Sequence, residues 1–238
     1  MRSAIPILVI VILFYSLSGK SQNVDNQLWI NYGLTIPANK NLSYGGDIGI
    51  RGLISNQKWN QILIRPTATY RWNQTFAAAG AVALFSTFNV DDENVYEFRI
   101  HQDFNVNWPN LSVLELFYRL RIEERFFFYE SLPNSFNIRV RLLAGLETQD
   151  FRLGEGKRPF YFQIMFEGFR TVADDSSYEV FVNQTRADFS FGHRLSNSFR
   201  YEIHYIRQSS RLFADDGLET SQNILRIRLF HRLPMKDN

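Results

Sequence analysis

The sequence predicts an all-β protein: a single antiparallel up-and-down transmembrane β-barrel of about 10–12 strands, preceded by a cleavable signal peptide. Three observations lead there. Beyond residue 22, apolar and polar residues alternate with a period of two, the mark of strands with two unlike faces. Segments of about ten residues recur along the chain, the length a tilted strand needs to cross a bilayer. Arginine and glutamate are threaded through these segments rather than confined to the links.

The first residues follow a different rule. Arg2 supplies a positive start, residues 7–15 an uninterrupted apolar core, and Gly19 and Ser21 small residues at a cleavage site. The apolar run is shorter than the roughly 20 residues of a spanning helix. The expected division is therefore a signal peptide at 1–21 and one outer-membrane barrel domain at 22–238, since 238 residues suit one all-β domain. Cleavage removes two of the 26 Lys and Arg and no acid, leaving 24 basic against 24 acidic residues. A neutral mature chain argues against a nucleic-acid partner. With no cysteine, disulfides, thiolate metal sites and cysteine nucleophiles are excluded.

The elements follow in order. Residues 27–36 place Leu28, Ile30, Tyr32, Leu34 and Ile36 on one face; 42–53 set Tyr44, Ile48 and Ile50 against Ser43, Asp47 and Arg51. In 61–72, Ile62, Ile64, Ala68, Tyr70 and Trp72 oppose Gln61, Arg65, Thr67, Thr69 and Arg71. Residues 96–108 alternate most cleanly, with Tyr96, Phe98, Ile100, Phe104, Val106 and Trp108 opposite Glu97, Arg99, His101, Asp103, Asn105 and Asn107. In 114–126, which carries Glu115, Arg119, Arg121, Glu123 and Arg125, Glu115 with Arg119 and Arg119 with Glu123 have the four-residue spacing of helical ion pairs. Apolar residues at 114, 116, 118, 120 and 122 would scatter around a helix but share one face of a strand, so the segment is read as strand. Residues 136–147, 185–195, 199–208 and 223–233 alternate likewise, whereas 75–88 and 160–172 are strand-like without showing which face is which. Short links at 37–41, 73–74, 109–110, 153–159 and 196–198 interleave with longer ones at 54–60, 89–95, 127–135, 173–182 and 209–220, as in a meander of hairpins. Eleven segments result. Bacterial barrels of this kind normally have an even number, which predicts a split or missed strand, or a first segment outside the wall.

Alternation leaves open which face is inside. A membrane barrel turns arginine inward, avoiding roughly 2–4 kcal/mol for each one at the midplane. Trp72 and Trp108, each just before a short turn, suit an aromatic girdle at the periplasmic rim. The expected lumen network is then Arg65, Arg99, His101, Asp103, Glu115, Arg119, Arg121, Glu123, Arg125, Arg139, Arg141, Glu147, Glu167, Arg186, Asp188 and Glu202. Two readings of it stand side by side. Its arginines, with Arg226 and Arg228, line a pore that attracts anionic solutes, or the same groups are neutralised by the acids in a packed interior.

The stretches YRLRIEERF at 118–126, NIRVRLLAGLE at 137–147 and NQTRADFSFGHRLS at 183–196 resemble the uncharacterised outer-membrane barrel family catalogued as domain of unknown function 2490. QLWINYGLTIP at 27–37 is similar to that family's first strand. The resemblance spans nearly all of the mature chain. It implies the outer membrane of a Gram-negative, Bacteroidetes-like bacterium and brings no established activity.

Chemistry beyond this is sparse. The four histidines, at 101, 193, 204 and 231, form no metal-type pair, and no cofactor is expected. LGEGKRP at 153–159 lacks P-loop spacing and reads as a turn. The expected role is non-enzymatic: a small-solute pore or a structural surface protein, with outer-membrane lipid, the barrel-assembly machinery and small ionic solutes as partners. A lipid-modifying enzyme using His204 and a serine, and a secreted soluble ligand-binding barrel, are the alternatives.

Overall fold

In the computed structural model, which describes residues 24–54, 58–108, 113–152, 158–174, 183–210 and 220–235, the alternating segments become the wall of a closed barrel. Eleven strands make it up among the described residues: β1 (Asp25–Pro37), β2 (Leu42–Leu53), β3 (Trp59–Arg71), β4 (Phe76–Asn89), β5 (Val95–Asn107), β6 (Leu114–Tyr129), β7 (Ser135–Thr148), β8 (Phe160–Asp174), β9 (Asn183–Arg194), β10 (Phe199–Ser210) and β11 (Thr220–Arg232). Each strand pairs antiparallel with the next, and a parallel ladder from Asp25↔Gln222 to Thr35↔Arg232 closes the circle.

The expectation of an even strand number is thus overturned. The first segment is a wall strand, bonded to β2 on one side and β11 on the other, and no segment is split. With an odd count the first and last strands run the same way, so their seam must be parallel, with evenly spaced, slanted hydrogen bonds. β1 therefore starts at the rim of the β2–β3, β4–β5, β6–β7, β8–β9 and β10–β11 links, the long-loop rim. β11 ends at the opposite, short-turn rim, whose one long connection is β7–β8 at 149–159, wider than the short link expected at 153–159.

Following the ladders once around the barrel returns to β1 displaced by about 14 residues, which for this strand number corresponds to a tilt of about 40°. Such a barrel is wider than the eight-stranded kind that side chains fill, and narrower than a sixteen-stranded porin. Large side chains can meet across it.

The apolar face points outward: Ile48, Ile64, Leu84, Leu142 and Phe166 are all exposed. The polar face points inward, with Glu97, Arg121, Glu123, Arg141, Glu167, Glu202 and His204 buried. The two undecided segments also resolve. In β4 the inward residues are Ala77, Ala81, Ala83 and Phe85, and in β8 they include Tyr161, Glu167 and Phe169. The alanines explain why β4 showed no polar face. Ala81 lies in register with Thr67 and His101, and Ala83 with Arg99, so small side chains there leave room for the imidazole of His101 and the long Arg99 side chain.

Candidate functional site: the charged lumen

Strand midpoints fall at similar heights in the barrel, and their inward residues form a belt. Asp47, Arg65, His101, Arg121, Arg141, Glu167, Asp188, His204 and Arg226 all lie within about one residue of the centre of their strands. Around this belt the arginines and carboxylates are linked. Glu97 accepts from Arg99 at 2.5 Å and Arg125 at 2.6 Å. Glu123 accepts from Arg139 and Arg141, both at 2.7 Å, while Arg121 stands at 3.6 Å and Arg99 at 3.9 Å. Glu167 takes Arg119 at 2.6 Å and Arg141 at 2.8 Å. Arg121 also reaches Asp103 at 2.5 Å, and Arg65 reaches Asp47 at 2.6 Å. Arg141 bridges Glu123 and Glu167, which joins β6, β7 and β8 into one network.

A second group lies on β8 to β11. His204 has Nδ1 at 2.8 Å from Asp188 and Nε2 at 3.0 Å from Glu202. The Tyr161 hydroxyl donates to the other Glu202 oxygen at 2.7 Å, and Arg228 stands 3.5 Å from that carboxylate. Ser190, beside His204 in register, donates instead to Gln163 at 3.0 Å. Both ring nitrogens of His204 are therefore taken by carboxylates. Among the described residues, no group of three or more His, Asp or Glu is placed to hold a metal ion.

Of the expected network, Arg65, Arg99, His101, Asp103, Arg119, Arg121, Glu123, Arg125, Arg139, Arg141, Glu167, Arg186, Asp188 and Glu202 share this interior. Glu115 and Glu147 stand apart at the short-turn rim, where Arg194 bonds Glu147 at 3.1 Å and Asp150 at 3.0 Å. Trp72 and Trp108 project outward at the same rim. Residues 1–21, most of 153–159, and the acidic stretches within 173–182 and 209–220 lie largely or wholly outside the described residues.

From the long-loop rim to mid-height the lumen holds a cavity of about 630 Å³. Trp59, Asn89 and Asp92 stand at its mouth and Arg65, Arg121 and Arg228 at its floor. Below the floor, aromatic rings take over. A Cβ on Gly145 would fall within the Phe117 ring, and one on Gly192 within the Tyr161 ring, so glycine is what lets these rings lie flat against the wall.

The cavity is not neutral. Eleven arginines line it: Arg51, Arg65, Arg99, Arg119, Arg121, Arg125, Arg139, Arg141, Arg186, Arg226 and Arg228. The carboxylates facing the same space, including those behind the lining, are Asp47, Asp92, Glu97, Asp103, Glu123, Glu167, Asp188 and Glu202. Among the described residues, three guanidinium charges are in surplus. The neutral sum over the chain conceals this, because acids such as Asp91, Glu93 and Glu130 are spent in the loops. Sequence reasoning also passed over Trp29, an aromatic on an otherwise polar face that turns out to be buried among the arginines.

The family model described as "Protein of unknown function (DUF2490)" matches residues 26–219. Neither the curated proteins nor the solved structures contain a match.

Proposed function

Since the chain belongs to the DUF2490 family, which carries no assigned activity, we propose from the barrel itself that it is a Gram-negative outer-membrane protein whose lumen admits small anionic solutes. The observation that carries this reading is the guanidinium surplus inside a barrel whose exterior is apolar. A cleft lined by one sign of charge, with low-dielectric walls, raises the local concentration of the opposite ion.

The exterior supports a lipid setting. Rings gather outward around the short-turn rim: Tyr70, Trp72, Phe76 and Phe104 form one cluster, and Phe151, Phe160, Phe162, Phe191 and His193 another. Phe199 and His231, stacked with ring centroids 4.0 Å apart, extend the ring along the same rim, and Tyr32 reaches His231 Nδ1 from mid-height at 2.8 Å. The Trp, Tyr and His members, with an apolar body and a polar tip, suit the headgroup layer, and the phenylalanines pack beside them. Outer-membrane lipid and the barrel-assembly machinery are then the partners this reading requires.

Leu142, 60% exposed on the outer face near the middle of β7, tests the setting. Leu142→Arg is expected to cost about 2–4 kcal/mol when the barrel is unfolded from lipid vesicles by urea. On a barrel bathed in water the same change would fall within about 0.5 kcal/mol, and that result would remove the membrane assignment.

Conduction is tested in a planar bilayer under a salt gradient. The expected result is discrete steps with a reversal potential showing anion preference. Cation-preferring steps would overturn the reading. A second reading, an anion-receiving cup rather than a through-channel, is favoured by the ring layer of Phe117 and Tyr161. It predicts a folded, inserted barrel that conducts only after Tyr161→Ala.

A further inference from the structure

We infer that the lumen contains a discrete oxyanion site, formed by Arg51, Arg186 and Arg226 around Trp29, that takes the phosphate or sulfate group of a small solute. The inference rests on the anion-admitting reading above and specifies where the anion stops.

Backbone register creates the cluster. Trp29 on β1 is the direct partner of Arg226 across the parallel seam and of Arg51 on β2, so the three stand side by side on three adjacent strands. Arg186 reaches the same ring from β9. The guanidinium carbons lie 4.2 Å (Arg51), 5.2 Å (Arg186) and 5.8 Å (Arg226) from the Trp29 ring centroid. All are within cation–π range, and Trp29 itself is only 4% exposed.

The chemistry of their other partners distinguishes these arginines from the rest of the lumen. Elsewhere guanidinium meets carboxylate; here each meets a neutral amide oxygen. Arg51 donates to Gln61 at 3.1 Å, Arg226 to Asn31 at 3.0 Å, and Arg186 to Gln208. Among the described residues neither Arg51 nor Arg226 has a carboxylate within ion-pair distance, and Arg186 has only Glu167, at 3.9 Å. An amide orients a guanidinium without cancelling its charge. It uses one or two of five N–H donors, leaving others to converge on a ligand. The Arg51 Nε is buried with no hydrogen-bond partner among the described residues, and all three arginines line the cavity. Three like charges beside one ring repel one another, and the ring's negative face offsets only part of that. A tetrahedral oxyanion supplies what is missing, because its oxygens match the guanidinium fork in charge and geometry.

The test is calorimetric titration of inorganic phosphate into the folded mature barrel in detergent at low ionic strength. Saturable binding to one site is expected, weakened at least tenfold by Arg51→Gln and by Arg226→Gln, and unchanged by Arg71→Gln at the short-turn rim. Absence of saturable binding to the unaltered barrel, or equal affinity in Arg51→Gln, overturns the site. Should Arg51→Gln fail to refold, Arg51→Lys keeps the charge and loses the fork; unaltered affinity in that variant overturns the site as well. The bilayer measurement separates this from the broader reading. Anion-preferring steps without phosphate binding would remove the site and leave the function, whereas phosphate binding with cation-preferring steps would keep the site and remove anion-selective conduction.

Discussion

Glu123→Ala is expected to lower the stability of the folded barrel by about 3–5 kcal/mol, because it leaves buried guanidiniums without their counter-charge. Glu123 is 1% exposed and receives Arg139 and Arg141 at 2.7 Å, with Arg121 and Arg99 within 4 Å. No other carboxylate in the lumen serves four arginines at once among the described residues. Glu123→Gln keeps the volume and one acceptor oxygen and is expected to lose less. Asp150→Ala, at the half-exposed rim pair with Arg194, is the contrast: solvent screens that pair, and a loss under about 1 kcal/mol is expected. Urea midpoints at unchanged slope, read by circular dichroism, would rank the three. A loss from Glu123→Ala no larger than that from Asp150→Ala would mean the network does not hold the wall together. The same variant carries a functional signature, since deleting one carboxylate enlarges the cationic surplus. Anion preference in the bilayer should rise as stability falls.

What could be read in advance was whatever depends on neighbours along one strand. In β5 each inward residue from Glu97 to Asn107 and each outward one from Tyr96 to Val106 is evident from alternation alone, because the two faces meet such different surroundings. β4 resisted for the opposite reason: its inward alanines answer to the size of the polar side chains opposite them, His101 and Arg99 among them, not to polarity. The ion pairs were out of reach too. Arg119 finds Glu167 across 48 positions, and nothing local signals that choice. Trp29 shows most clearly where sequence reading stops. Its pairing with Arg226 exists only because the barrel closes through a parallel seam, and the expectation of an even strand number excluded that seam. Once the parity was wrong, the row Arg226, Trp29, Arg51 could not be seen.

Gly46→Ala is expected to cost roughly 4 kcal/mol, combining backbone strain with steric overlap in a closed wall. Gly46 adopts φ 139°, a region L side chains rarely enter. A Cβ there would press on the Arg65 carbonyl oxygen and come within 2.8 Å of Pro66 Cα. Neither can retreat freely. Both lie inside the unbroken β2–β3 ladder of a closed barrel, where Gly46 is the direct partner of Pro66 and Asp47 of Arg65, so moving them away from β2 disturbs their neighbours' pairing. Gly80→Ala is the control: its Cβ would meet nothing within 4 Å, and the change should be neutral or slightly stabilising. Equal folded yields and equal urea midpoints for the two variants would refute the close-approach account. The position also reaches the lumen chemistry. Gly46 precedes Asp47, which accepts from Arg65 at 2.6 Å and from Asn31 at 3.4 Å, and Asn31 in turn holds Arg226 at 3.0 Å. A β2 backbone displaced at Gly46 moves Asp47, then Asn31, then one of the three arginines around Trp29. Any Gly46→Ala barrel that does fold should therefore bind phosphate more weakly than Gly80→Ala, although no atom of the anion site has been changed.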